Sequence, residues 1–150
     1  MAAAKNLLLD DRLLLAVLLH DESRALAALT RRRSIFTTGL WYYRLCHAIR
    51  SEVVTGALSG PFASAEPAIR ARAASALVQL PDGVALLSLR DLAPTMAELV
   101  ERHRLNAMSL EALASAVVLG ADIALAVEGE NPSLIDAAGQ KGCVVRIVKV

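Results

Sequence analysis

With 150 residues, 55% of them hydrophobic and only 3% aromatic, the chain has apolar material for one ordinary domain with a core of Leu, Ala and Val. A mean hydropathy of +0.47 is high, but no apolar run approaches the roughly 20 residues of a spanning helix, and Leu13–Leu19 is typical of the longest. The net charge of +1 hides an asymmetry: residues 1–50 carry eight Lys/Arg against four Asp/Glu, with Arg31, Arg32 and Arg33 consecutive. A basic half of this kind steers toward nucleic acid or an acidic partner, or simply sits as a solvated helix end. The N-terminus has no secretion-signal pattern, and Cys46 and Cys143 lack metal-ligand spacing. Both features point to a reduced, cytoplasmic protein without a membrane segment.

Asn6–Leu9 is a short apolar run that stops at Asp10 and Asp11, which reads as a buried strand feeding the helix Leu13–Leu19, with Asp10 as its cap. Asp21 and Glu22 open a helix over Ser23–Arg32, acids first and arginines last. Ser34–Thr37 is a short strand, and Thr37, Thr38 and Gly39 cap a helix over Leu40–Val54 that carries Trp41, Tyr42, Tyr43, Arg44 and His47. Thr55–Pro67 is a Gly/Pro/Ser-rich connector. A helix over Ala68–Leu80 ends at Pro81-Asp82-Gly83, Val84–Leu89 is a third strand, and Pro94 starts a helix over Thr95–His103.

The stretch from Leu105 to Val127 is the most informative. Ala112, Ala116 and Leu119, with Leu113 and Val117, line one side of a small-residue helix over Ser109–Leu119. Gly120 stands where a C-cap needs positive φ, and Ile123–Val127 is apolar throughout, as a strand covered on both faces requires. Asn131-Pro132 starts a helix to Ala138, Gly139 and Gly142 close it, and Cys143–Val150 is a last strand. Strands alternating with helices predict an α/β protein, a three-layer α/β/α sandwich around a mostly parallel sheet of four to five strands spanning 1–150 as one domain. Ligands of such sheets bind beyond the carboxyl ends of the strands. Asp10, Thr37, Thr38, Val127 and Glu128 fall there, and Ser109 at a helix start faces them.

Three passages in this order, LLLDDRLLLAVLL, FTTGLWYYRLCHAI and RHRLNAMSLEALASAVVLGADIALAVE, with the closing GQKGCVVRIV, resemble the PIN-domain family, the fold of VapC-type ribonucleases of bacterial toxin–antitoxin pairs. The resemblance covers most of the chain and leaves residues 56–83 the least assignable. It implies metal-assisted RNA cleavage, in which a cluster of acids holds Mg²⁺ or Mn²⁺ that activates water. It also implies a small antitoxin-like protein partner.

Carried over one position at a time, the family's first acid matches Asp10. The Glu expected just inside the following helix falls on Arg44, the Asp at the start of the Ala-rich helix on Ser109, and the strand-ending Asp on Val127. Glu128 is adjacent, but one step along a strand turns a side chain to the other face. With Asp10 alone left as a metal ligand, the resemblance implies a PIN scaffold without a working metal site, and Arg44 is expected to pair with Asp10 in the metal's place. Asp11, Glu111, Glu128 and Glu130 are the acids available to a divergent Mg/Mn-dependent ribonuclease, the alternative reading. Ser109 most simply caps its own helix, and His20, His47 and His103 have no catalytic spacing. Arg31, Arg32, Arg33, Trp41 and Tyr42 are the candidate partner contacts; aromatic residues at helical spacing more often anchor a core or a subunit interface than stack on bases. Exposed aliphatic helices in so apolar a chain predict a homo-oligomer.

Overall fold

The fold is described from a computed structural model over residues 5–50 and 64–150. Five strands form an all-parallel sheet: β1 (Asn6–Leu9), β2 (Ser34–Phe36), β3 (Val84–Ala85), β4 (Asp122–Ala126) and β5 (Val145–Val148). Their order across the sheet is β3-β2-β1-β4-β5, with Leu8 opposite Phe36 on one side and Ile123 on the other. The connecting helices are α1 (Asp11–Leu18), α2 (Arg24–Thr30), α3 (Gly39–Arg50), α4 (Pro67–Val78), α5 (Leu89–Arg102), α6 (Ala107–Leu119) and α7 (Pro132–Gln140).

The uniformly apolar strands are explained by what covers them. Leu8, Ile123 and Leu125 face one way, into a cluster with Trp41 of α3, Leu92 and Leu99 of α5, Leu113 of α6 and Leu134 of α7. Leu7, Leu9, Ala124 and Ala126 face the other way, against Leu13 and Ala16 of α1 and Leu26 of α2. Helices thus lie on both faces, and a strand buried twice has no polar side to present. A third cluster joins Leu14 and Leu18 of α1 to Leu45 of α3 and Leu77 of α4. The alanines of α6 at positions 112, 114 and 116 are fully buried, which lets that helix lie close to β1 and β4. Among the described residues no helix is long and apolar enough to cross a membrane.

Several boundaries differ from those read in the sequence. Helix α2 is capped by the Ser23 hydroxyl, so Asp21 and Glu22 lie before the helix rather than in its first turn. The third strand is only two residues long, and Leu89, expected to end it, begins α5. Ser88 caps that helix: its Oγ accepts from the Asp91 N–H and donates to the Asp91 carboxylate. Pro94 is therefore inside α5, not at its start. The N–H it lacks would have reached the Arg90 carbonyl, and both residues are exposed, so water can take that carbonyl. Helix α6 starts at Ala107 under an Asn106 cap, and Gly120 ends it at φ 58°. Strand β4 stops at Ala126, and Val127–Gly129 forms a single 3₁₀ turn. The expected helix end at Val54 and most of the Thr55–Pro67 connector lie outside the described residues.

Candidate functional site

The carboxyl ends of β1 and β4 point toward the N-termini of α1, α3, α6 and α7, and the polar residues gathered there satisfy one another. Asp10 follows β1 and is buried (3% exposed). Its Oδ1 accepts from the Leu13 N–H at 2.8 Å, which caps α1, and its Oδ2 accepts from the Ala126 N–H at 2.7 Å, which ties the end of β4 to β1. Burial pushes its carboxyl up from 3.8 to about 6, against the opposing pull of the two backbone amides. Gly129 approaches so closely that a Cβ there would lie 3.0 Å from Asp10 Oδ2.

Asp11, the first residue of α1, points elsewhere. Its Oδ2 lies 3.0 Å from Arg44 Nη1. That nitrogen is also 3.4 Å from Met108 Sδ. The expected partner of Arg44 was Asp10, and the correction has a simple cause. As N-cap, Asp10 turns its carboxylate back onto the backbone of α1 and β4. The next residue, already helical, projects its carboxylate outward to meet α3. Burial raises the Asp11 carboxyl and the Arg44 guanidinium opposes that rise. The contact is one of charge and distance: Asp11 Oδ2 has no aligned N–H donor.

Glu111 on α6 is almost wholly buried, and its two oxygens accept from the Gly39 and Leu40 N–H groups at 3.0 and 2.9 Å. It thus neutralises the positive end of α3, which the Thr38 hydroxyl also caps by accepting from the Trp41 N–H at 3.0 Å. A Cβ at Gly39 would lie 3.0 Å from Glu111 Oε1, so a larger residue there would press on that carboxylate. Sequence reasoning treated Glu111 only as a spare metal ligand. No local signal pointed to its real role, because Thr38 already supplies a cap for α3 and the partners of Glu111 lie far away in sequence.

Ser109 does not cap its own helix; it is the third residue of α6, and its N–H donates to Asn106 Oδ1 at 2.9 Å. Its hydroxyl accepts from Asn131 Nδ2 at 2.9 Å, and Asn131 Oδ1 in turn caps α7. Asp10, Asp11, Arg44, Ser109, Asn106 and Asn131 line a cavity of about 170 Å³, with Trp41, Met108, Leu125 and Leu134 as its apolar walls. Arg44 stands at its mouth, with 46% of its side chain exposed.

The remaining predicted site residues lie apart. Val127 and Glu128 are on the exposed 3₁₀ turn and do not line the cavity, because β4 ends one residue earlier than expected. Glu128 instead lies 3.6 Å from Arg12. Arg31, Arg32 and Arg33 precede β2 and so sit at the opposite, amino edge of the sheet. Arg31 and Arg32 are exposed there, but Arg33 is held by Asp122 at 3.0 Å, which Arg146 also reaches at 2.9 Å. Trp41 is buried in the core, and the Tyr42 hydroxyl donates to the Leu77 carbonyl, so neither is a free contact surface. Tyr43 is the exposed aromatic of that trio.

A divalent ion of the Mg²⁺ or Mn²⁺ kind needs several free carboxylate oxygens converging on one point. Here both oxygens of Asp10 and both of Glu111 are taken by backbone amides, and Asp11 faces a fixed cation. Among the described residues no three His, Cys, Asp or Glu side chains are grouped so as to hold a metal ion. The residues present do not fit such an ion. The chain matches no protein-family model, and no curated protein matches it.

Proposed function

We propose that this chain is a PIN-like domain that has lost metal-dependent ribonuclease activity and acts in the cytoplasm by binding a protein or RNA partner at the mouth of the Asp10–Arg44 cavity. The observation that carries this reading is the Arg44–Asp11 contact at 3.0 Å, a cation fixed where the resemblance expects an acid. A guanidinium there repels a divalent ion about as strongly as a carboxylate would attract it. The half-exposed guanidinium, the exposed Asn106 and the Ser109–Asn131 pair give the mouth donors and acceptors but no activated nucleophile.

One observation favours the second reading, a divergent Mg/Mn-dependent ribonuclease of a toxin–antitoxin pair. Asp11 Oδ2 has no aligned hydrogen-bond donor, so a cation displacing Arg44 would find a ready ligand. Incubation of structured and unstructured RNA with Mg²⁺ or Mn²⁺ separates the two. No cleavage, with RNA or an antitoxin-like protein bound in a manner weakened by Arg44→Glu, is the expected result. Cleavage abolished by Asp10→Ala would overturn the proposal.

A further inference from the structure

The face of the sheet that α1 covers is closed over β1 and β4 but not over its β2–β3 edge. Leu7, Leu9, Ala124 and Ala126 are fully buried there against α1 and α2. Ile35 of β2 and Val84 of β3 stand side by side in the parallel register, so their side chains share that face, and both are only half-buried. With Val17 of α1 and Ala76 of α4, also half-buried, they line a cavity of about 380 Å³. The residues that lead into β2 and β3 border it, so it opens at the amino edge of the sheet, away from Asp10 and Arg44. Two residues able to carry positive charge line this cavity, His20 just past the end of α1 and Arg72 on α4, and no acid does. Asp82 stands between two lining residues, Pro81 and Gly83, but is exposed and does not itself line it. Arg72 forms no ion pair among the described residues. The Thr30 hydroxyl, the third polar side-chain group, already donates to the Ala27 carbonyl at 3.3 Å. The side-chain donors left to a ligand are those of Arg72 and His20.

We propose that this cavity binds a small amphipathic carboxylate, its apolar body on Ile35 and Val84 and its carboxylate on Arg72, with His20 as a second donor. The volume lies at the lower end of the range of small-molecule sites, roughly 300–1,000 Å³, which suits a short aliphatic or single-ring acid. Apolar walls with a few convergent polar groups at one end are the usual make-up of such a site. A guanidinium offers a carboxylate two parallel N–H groups, and the apolar surroundings strengthen that pairing. The same chemistry rejects the alternatives. An amine would meet Arg72, and a small hydrated anion such as phosphate would leave the apolar floor bare. A neutral apolar molecule would gain the floor but nothing from the two cations. The site is remote from the Asp10–Arg44 cavity and does not rest on what that cavity does.

Titration of octanoate into the ¹⁵N-labelled full chain, followed by amide shifts in NMR, tests it, with 1-octanol as the neutral control. The expected result is saturable shifts centred on Ile35, Gly83 and Val84, with a dissociation constant below about 1 mM and octanol weaker by about tenfold. Arg72→Met keeps the aliphatic stem of an exposed residue, so the fold stays intact. It should weaken octanoate about tenfold and leave octanol unchanged. Ala76→Phe should fill the cavity and abolish binding of both, with circular dichroism to confirm folding. If that variant does not fold, the Arg72→Met comparison decides alone. No saturable shift at about 5 mM octanoate, or shifts centred elsewhere on the chain, would overturn the proposal. So would equal affinity for octanol, or an Arg72→Met variant that binds octanoate as tightly as the wild type.

Discussion

Replacing Arg44 by Gln removes the guanidinium that lies 3.0 Å from the buried carboxylate of Asp11. Coulomb's law at an effective dielectric near 20 sets a ceiling of roughly 5 kcal/mol for that separation. The Arg44 side chain is 46% exposed and water screens it, while Asp11 Oδ2 lacks an aligned donor. The expected loss is therefore about 2 kcal/mol, between the values typical of surface and of broken buried pairs. For a chain of this size that lowers Tm by roughly 4–8 °C. The loss should also depend on pH, with a definite sign. Arg44 lowers a carboxyl that burial raises, so its removal raises the Asp11 carboxyl further. The variant should be weakened most at high pH, where Asp11 is ionised, and should approach wild type at low pH, where Asp11 takes up its proton. Urea unfolding at both pH values reads this directly. An equal loss at both, or an undiminished loss when Asp11 is already Asn, would refute a charge contact between the two residues.

Asp10 makes a parallel case in which burial alone sets the sign. Its carboxyl holds a proton up to about 6 when folded and near 3.8 when unfolded, so ionisation costs stability above about 6 and the cost vanishes as pH falls toward 4. At 1.36 kcal/mol per pH unit the full effect is roughly 3 kcal/mol; a ¹³C-detected titration of the Asp10 carboxyl should have its midpoint near 6, and a midpoint near 4 would contradict the burial argument. Glu111→Gln puts an NH₂ group against the Gly39 or Leu40 N–H, and should cost about 1–3 kcal/mol in urea unfolding with α3 fraying first in hydrogen exchange. Gly129→Ala should displace the Asp10 carboxylate and lower Tm by several degrees, roughly 1–2 kcal/mol, whereas Gly83→Ala, whose Cβ meets nothing within 4 Å, should not.

The framework was legible because parallel strands covered on both faces have to be apolar, and the runs Leu7–Leu9 and Ile123–Ala126 declare themselves in that way. Asp10, Gly120 and Asn131-Pro132 were read correctly as helix ends since each meets a local backbone need. Where two candidates competed, the sequence reading took the wrong one. Pro94 outweighed the Ser88-x-x-Asp91 cap six residues earlier, and Ser109 outweighed Asn106, though each true cap bonds the amide three residues on. The partner of Arg44 could not be read, because adjacent acids at a strand–helix junction point in directions set by their own φ and ψ. Glu111 was missed for a related reason: its partners are backbone amides 71 and 72 positions away, and no spacing rule reaches that far.

The central claim is that the acids at the head of the sheet are committed to the fold and to Arg44, not to a metal ion. Isothermal titration of Mn²⁺ into the wild-type chain at neutral pH tests it most directly. The account predicts no binding tighter than about 1 mM, a free energy near −4 kcal/mol. Micromolar binding that Asp10→Asn abolishes would contradict it.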